Sequence, residues 1–299
     1  RPDNVVICGY RVPDIVWLAV CNKLKINTIY FQHGFDIDHV KRRINSMLKD
    51  YMKVIKYALG VVRLSFYLGV SPIRFCLDYI NFVVFGADFK GTLFEDIRLW
   101  PNKFFVWADY YIKFWENKIG IPEDRIEVMG ATDLMKINET RSRSYEHAVC
   151  YLAQTFVEDG RVSKSQFIQI IVQYSKLSLY VDKFYVKLHP RSDVSNYAIL
   201  SELDNVELVR DYFPYSSIYI SHYSTTVFLA GHLSHNVVLH NLPEDPSPDI
   251  FKNVASFVSS DINQIIEYSK EHINDNPPAK TYQNKILYKI APIPNIHPL

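Results

Sequence analysis

Short apolar runs alternate with longer amphipathic stretches, in two blocks, along the whole chain. The apolar runs predict buried strands, and the stretches with apolar residues three or four positions apart predict helices. The first block predicts strands at 5–8, 27–34, 104–109 and 125–132, with helices at 14–25, through most of 38–85 and at 110–120. The second predicts strands at 148–156, 183–190, 206–210, 217–224 and 236–241, with helices at 163–177, 196–203, 225–233 and 261–273. This order predicts an α/β fold with two Rossmann-like parallel-sheet domains facing across a cleft.

The domain boundary is expected near a charged segment, INETRSRSYEH at 137–147, which predicts an irregular linker. The expected domains are therefore 1–136 on the acceptor side and 137–280 for the nucleotide sugar, with a tail at 281–299. A chain of 299 residues is long enough to give each its own core. Because the chain begins with Arg1 rather than Met, we expect the start of the first domain to be missing.

The composition excludes several classes of protein. A hydrophobic content of 48% with 22% charged residues is typical of a folded chain, and a net charge of +1 provides no field that would attract nucleic acid. The four cysteines lie far apart, without the paired spacing of a zinc site, which predicts reduced thiols, no metal and a cytoplasmic location. No apolar run is long enough to cross a membrane.

Polar side chains follow several predicted strands of the second block, where open α/β sheets bind their ligands. In QTFVEDGR at 154–161, Glu158 or Asp159 is a candidate general base, and Gly160 allows a tight turn. The alternative is a solvated turn, since Asp-Gly is a common turn pair.

The stretch KFYVKLHPR at 183–191 places His189 where a strand ends, because Pro190 has no backbone N–H for a sheet. His189, together with Lys187 and Arg191, would suit a phosphate group, since histidine donates a hydrogen bond and arginine offers two parallel ones. The alternative is a loop with ordinary surface charges.

Two further strand ends carry candidates. In SHYSTT at 221–226, Ser224 or Thr225 fits a helix N-cap, and the amides that follow would suit a phosphate; the alternative is capping without a ligand. His222 in the same stretch is expected to be buried. In QHG at 32–34, His33 would face the cleft from the first domain, or else be a buried, hydrogen-bonded histidine.

The segment 41–74 carries eight Lys or Arg residues against one acid, Asp50, with apolar residues between the cations. This pattern predicts a helix that contacts an anionic membrane surface or an acidic polymer; the alternative is a solvated basic face. A strand followed by GxGxxG and a GxxxxGK[ST] loop are both absent, which argues against dehydrogenases and P-loop enzymes.

Taken in order, EDG at 158–160, HP at 189–190 and STT at 224–226 resemble three motifs of bacterial sialyltransferases and capsule polysialyltransferases. The stretch YYIKFWENKIGIPEDRIEVMGATD at 110–133 resembles a wider group that includes CDP-glycerol polymerases and Kdo transferases. The resemblance covers about 104–245. The distance of 31 residues from Glu158 to His189 is closer to that in lipooligosaccharide sialyltransferases.

This resemblance implies a GT-B fold and an inverting transfer from a CMP-activated, sialic-acid-like donor to a capsule or lipopolysaccharide glycan, with no metal and no cofactor. Glu158 or Asp159 would be the base. His189 would contact the CMP phosphate, and Ser224, Thr225 and the following Thr226 would hold it from the helix N-terminus.

Two other functions remain open at this point. QHG at 32–34 resembles the Trp-His-Gly of CDP-glycerol polymerases, and a polyol-phosphate transferase of that type would use His33 as its base. The third hypothesis is a non-catalytic GT-B module that binds an anionic glycan through 41–74. In each case we expect a cytoplasmic protein, with peripheral contact to the inner face of the cell membrane.

Overall fold

The computed structural model describes residues 2–10, 12–32, 44–85, 92–130, 134–243, 245–252 and 254–277. These residues fall into two compact units, 2–130 and 134–277, each with its own sheet. No helix in the described ranges is both long enough and apolar enough to span a bilayer.

The first unit has a four-stranded sheet in the order β1-β2-β3-β4, and every neighbouring pair is parallel. Its strands are β1 (Asn4–Ile7), β2 (Asn27–Phe31), β3 (Lys103–Val106) and β4 (Ile126–Val128). Its helices are α1 (Val12–Lys23), α2 (Ile44–Leu68), α3 (Pro72–Phe85) and α4 (Tyr110–Ile119).

An aromatic cluster forms much of the core of this unit. Tyr30 of β2 lies 5.0 Å from the ring of Phe104 on β3 and 5.2 Å from that of Trp115 on α4, measured between ring centroids. Helix α4 ends at Gly120, whose φ of 74° lies in the left-handed region that glycine favours, as the sequence predicts. A Cβ at that position would lie 2.9 Å from a carboxylate oxygen of Glu95, so the Glu95 side chain would have to move to admit one.

The second unit has a six-stranded sheet in the order β10-β9-β8-β5-β6-β7, again with parallel neighbours throughout. Its strands are β5 (Glu146–Leu152), β6 (Phe184–Lys187), β7 (Val206–Val209), β8 (Ser216–Ser221), β9 (Asn236–His240) and β10 (Phe257–Ser259). Its helices are α5 (Leu134–Arg141), α6 (Lys164–Ser178), α7 (Ala198–Ser201), α8 (Thr226–Leu233), α9 (Asp249–Lys252) and α10 (Ile262–His272).

The start and end of the second unit are joined to each other. The Tyr145 hydroxyl, just before β5, donates to the backbone carbonyl of Asp275, just beyond α10, at 2.6 Å. The Asn236 side-chain amide, at the start of β9, donates to the Asp275 carboxylate at 2.8 Å. These bonds close the unit at the amino edge of its sheet.

The α/β prediction with two parallel sheets is confirmed, and the predicted strands and helices match described elements, with shifted ends. The irregular linker predicted at 137–147 is wrong, because α5 covers its first part and β5 begins at Glu146. Ile137 and Thr140 of α5 are buried, and Arg141 donates to the backbone carbonyl of His232 on α8 at 2.7 Å. The sequence did not predict α9 or β10.

Candidate active site

Three loops that carry predicted site residues meet at the carboxyl edge of the second sheet. β5 lies between β8 and β6, so the loops that follow these three adjacent strands are neighbours at that edge. Glu158 and Asp159 follow β5, His189 and Arg191 follow β6, and 224–226 follow β8. The topology therefore brings together three motifs that are far apart in the sequence.

The loop after β5 is a helical turn that ends at a glycine. The Asp159 amide donates to the carbonyl of Thr155 at 2.9 Å, and the Gly160 amide donates to that of Val157 at 3.0 Å. Gly160 has a φ of 66°, in the left-handed region, which confirms the predicted tight turn. Phe156 is fully buried and anchors the turn to the core.

Asp159 pairs with Arg191, from the loop after β6. One guanidinium nitrogen, Nη1, donates to Asp159 Oδ1 at 2.9 Å, and the Thr155 hydroxyl donates to Oδ2 at 2.6 Å. Partial burial raises the pKa of Asp159, but the hydrogen bonds from Arg191 and Thr155 outweigh it and leave this pKa below its usual value. Asp159 is therefore an anion whose two oxygens both have partners.

Glu158 contacts a different part of the same neighbouring loop. Its Oε1 accepts the backbone N–H of Asp193 at 2.7 Å and the side-chain amide of Asn196 at 3.2 Å. Its other oxygen, Oε2, has no hydrogen-bond partner within the described residues. Of the two carboxylates, Glu158 thus retains an oxygen that can accept a proton from a ligand.

The proton on the ring of His189 is fixed by its neighbour. The backbone N–H of Arg191 donates to His189 Nδ1 at 3.1 Å, so the neutral ring carries its proton on Nε2. Burial, followed by the charge of Arg191, lowers the pKa of His189. Nε2–H has no partner in the part of the chain that the structure describes, so it is a donor available to a ligand.

Lys187 and Pro190, the other candidates in this stretch, make contacts within the sheet edge and its turn. The Lys187 ammonium donates to the backbone carbonyl of Arg210, beyond the end of β7, and burial lowers its pKa. Pro190 is exposed, and the turn around it is closed by the Ser192 amide, which donates to the His189 carbonyl at 2.9 Å. His189 and Arg191 are therefore close to the carboxylates, while the Lys187 amine is bonded to the adjacent strand end.

The N-cap residue of α8 is Thr225, whose side chain makes no capping hydrogen bond, and Ser224 before it bonds to Thr226. Ser224 Oγ lies 2.9 Å from Thr226 Oγ1 and accepts the Thr226 amide at 3.3 Å. The next two amides, of Val227 and Phe228, donate to the carbonyls of Ser224 and Thr225. These backbone donors are already bonded, so the hydroxyls, including that of Thr225, are the groups this loop offers to a ligand.

The sequence did not predict a second cation at this edge, Arg161. Its guanidinium lies 4.6 Å from the ring centre of Phe156 and 4.4 Å from that of Tyr223. Its Nε donates to the Asp245 carboxylate at 2.9 Å, and the Tyr223 hydroxyl donates to the same carboxylate at 3.1 Å. This pair connects the loops after β5, β8 and β9. An arginine directly after EDG was the only signal in the sequence.

Histidines below the edge are structural. His222 is fully buried, as expected; its Nδ1 donates to the carbonyl of His240 at 2.9 Å, so Nε2 accepts from the Tyr151 hydroxyl at 3.1 Å. His33 lies outside the described residues. Its neighbour Gln32 is buried, and its side-chain oxygen accepts the Trp107 amide at 2.9 Å. Within the described ranges, no group of three or more His, Cys, Asp or Glu side chains could hold a metal ion.

No protein-family model matches the chain, and no curated protein matches it. Among solved structures, the Methanocaldococcus jannaschii UDP-GlcNAc 2-epimerase is similar over 93% of this chain and 71% of its own, with 12% identity and a TM-score of 0.48. The calicheamicin glycosyltransferase CalG4 is similar over 92% and 66%, with 16% identity and a TM-score of 0.47. The wall teichoic acid polymerase TagF is similar over 91% and 65%, with 12% identity and a TM-score of 0.37. At these values the likenesses establish neither a shared family nor a shared reaction.

Proposed function

We propose that this chain is an inverting, metal-independent GT-B glycosyltransferase that moves a sialic-acid-like sugar from a CMP-activated donor to a bacterial capsule or lipopolysaccharide glycan. The observation that carries the proposal is the neutral His189, whose Nε2–H is available at a sheet edge shared with Glu158 and Asp159. A hydrogen-bond donor for a phosphate and a base for a hydroxyl are the two groups that such a transfer needs.

In the proposed reaction, an acceptor hydroxyl oxygen attacks the anomeric carbon of the sugar. Glu158 takes the hydroxyl proton, and the bond between that carbon and the phosphate oxygen breaks, so that CMP leaves with the bonding electrons. His189 and the hydroxyls of Ser224 and Thr225 donate to the phosphate, whose negative charge grows as the bond breaks. A positioned carboxylate base contributes about 10²–10⁴-fold to the rate of such a step.

The contacts support Glu158 rather than Asp159 as the base. Both oxygens of Asp159 accept hydrogen bonds, and its lowered pKa makes it a weak proton acceptor. Glu158 uses only Oε1 to bind the 193–196 loop, which leaves Oε2 for the acceptor. In this proposal, Asp159 positions Arg191 beside the donor phosphate.

The proposal is tested by thermal unfolding with CMP, CDP, UDP and GDP. A nucleotide at 100 times its dissociation constant raises the free energy of unfolding by about 2.7 kcal/mol. We expect CMP to stabilise the protein, His189→Ala to remove that effect, and His235→Ala, an exposed residue in the same unit, to retain it.

Other results would contradict it. If only UDP or GDP stabilises the protein, the proposal of a CMP-activated donor is wrong. Stabilisation by CDP alone would favour the polyol-phosphate transferase. If no nucleotide stabilises the protein, the non-catalytic hypothesis is preferred.

A further inference from the structure

Helices α2 and α3 of the first unit expose large apolar side chains that the core does not use. The exposed fractions are 68% for Ile55, 61% for Leu59, 71% for Phe66, 74% for Ile73 and 55% for Leu77. The two helices pack against each other as a hairpin that turns at 69–71. We refer to these five side chains, with the exposed Lys56, Arg63 and Arg74, as the hairpin face.

On α2 the exposed apolar residues form a single stripe. Ile55, Leu59 and Phe66 are four and seven positions apart, a spacing that places them on one side of a helix. Val61, Leu64 and Leu68 are buried on the other side. The helix therefore has one apolar side in the core and a second that faces solvent.

Helix α3 repeats this arrangement. Ile73 and Leu77 are one turn apart and exposed, while Phe75 and Tyr79 are buried. Phe75 stacks on Phe94 with ring centroids 4.6 Å apart, so the inner side of α3 is well packed. The exposed residues of α3 are thus not needed to hold the hairpin on the unit.

The charge beside the apolar residues is mostly positive. Lys56, Arg63 and Arg74 are exposed, and the only acidic residue between positions 55 and 81 is Asp78. A large apolar patch on a protein surface generally marks an interaction site. The cations of the hairpin face favour an anionic partner, and they would repel the same face of a second copy of the chain.

We propose that the hairpin face binds the surface of a bilayer that contains anionic phospholipids. The apolar stripe would lie among the headgroups and upper acyl chains, and the three cations would contact lipid phosphates. Long Lys and Arg side chains suit this position, because their stems remain in the apolar layer while their charges reach the headgroups. This inference does not depend on the proposed donor or reaction.

The test is flotation of the purified chain with vesicles of phosphatidylcholine alone, or of phosphatidylcholine and phosphatidylglycerol mixed seven to three. We expect binding to the mixed vesicles, weakened by salt, and little binding to the neutral ones. The apolar variant is Phe66→Ser with Ile73→Ser, and the charge variant is Lys56→Glu with Arg63→Glu and Arg74→Glu.

Each apolar substitution should lower the vesicle–water partition coefficient about tenfold, because the variant no longer transfers half or more of a large apolar side chain from water into the bilayer. Each lost cation should lower it about fivefold, and its reversal further, since a cation near an anionic surface contributes about 1 kcal/mol. Leu179→Ser, also 74% exposed but in the second unit, and Lys176→Glu, an exposed cation beside it, should bind like wild type.

Three results would overturn the proposal. In the first, the wild-type protein does not float with the mixed vesicles. In the second, the hairpin variants float as well as the two control variants. In the third, the wild-type protein does not bind vesicles, light scattering shows that it is a dimer, and the Phe66→Ser, Ile73→Ser variant is a monomer; the hairpin face would then be a self-association surface. Circular dichroism of each variant verifies that the protein is folded.

Discussion

The two adjacent acids, Glu158 and Asp159, have different surroundings although they are chemically alike. Glu158 binds a backbone amide with one oxygen, whereas Asp159 is held between a guanidinium and a hydroxyl. No sequence pattern distinguishes them, because the difference comes from Arg191 and Asn196, more than 30 positions away. The candidate site could be predicted as a set of residues, but not the role of each member.

Substitution of each acid by its amide should separate the two roles. We expect Glu158→Gln to lower kcat about 10²–10⁴-fold and leave CMP binding unchanged, since the loss is that of a base. Asp159→Asn should weaken CMP binding and change kcat less, because it releases Arg191. Steady-state kinetics with isothermal titration of CMP measures both effects, and equal losses of kcat from the two variants would contradict the assignment.

The buried histidines of the second unit should make it unstable in acid. Burial, followed by the charge of His240, lowers the pKa of His222, and burial lowers that of His240 to about 4. Since the unfolded chain takes up these protons near pH 6.5, it binds more protons than the folded one between about pH 6.5 and 4, and stability falls as the pH falls through that range. His240 alone should cost about 3 kcal/mol by pH 4.

Urea unfolding between pH 7 and pH 4 measures this loss. His240→Gln should flatten the dependence of stability on pH, because glutamine takes up no proton in this range. A wild-type stability that is constant across this range would show that these histidines do not control it.

At the scale of elements, the loops at the carboxyl edge are joined to each other as well as to their own strands. Arg161 connects the loop after β5 to Tyr223 and Asp245 in two other loops. This arrangement requires three segments that only the fold brings together, so local sequence patterns could not predict it. Strand and helix positions were predictable, since the apolar period is local.

The Arg161–Asp245 pair should stabilise the second unit more than a surface pair does. Both side chains are mostly buried, so Arg161→Ala leaves a partly buried carboxylate without its cation and should cost about 2 kcal/mol in free energy of unfolding. A double-mutant cycle with Asp245→Ala, followed by urea unfolding, should give a coupling above about 1 kcal/mol. Strictly additive losses would mean that the pair does not stabilise the fold.

The prediction of an irregular linker at 137–147 was wrong because it considered the local sequence without the packing between elements. Lys136, Asn138 and Glu139 of α5 are exposed, and its buried residues, Ile137 and Thr140, give too weak an apolar period to predict a helix. Its packing on α8 through Arg141 supplies the missing stabilisation. Tertiary contacts therefore stabilise a helix in a segment whose composition predicted a loop.

At the scale of the whole molecule, each unit has its own sheet and its own buried side chains, and those of the second unit form one large cluster. A hydrogen bond from the Tyr145 hydroxyl to the Asp275 carbonyl joins the two ends of the second unit. We therefore expect a fragment of residues 134–277 to unfold cooperatively in urea. A fragment that begins at 146 lacks α5 and Tyr145 and should unfold at lower urea, and a gradual transition of the longer fragment would contradict an independent second domain.

The strand order of the second sheet also determines the order in which the parts of the candidate active site can assemble during translation. β5 is made first and lies near the middle; β6 and β7 extend the sheet on one side, and β8, β9 and β10 extend it on the other. The contacts of Glu158 and Asp159 with 191–196 can therefore form once residue 196 has left the ribosome, before β8 emerges. Until β8 emerges, one edge of β5 lacks its neighbour, so the nascent chain has an unprotected apolar strand during that interval.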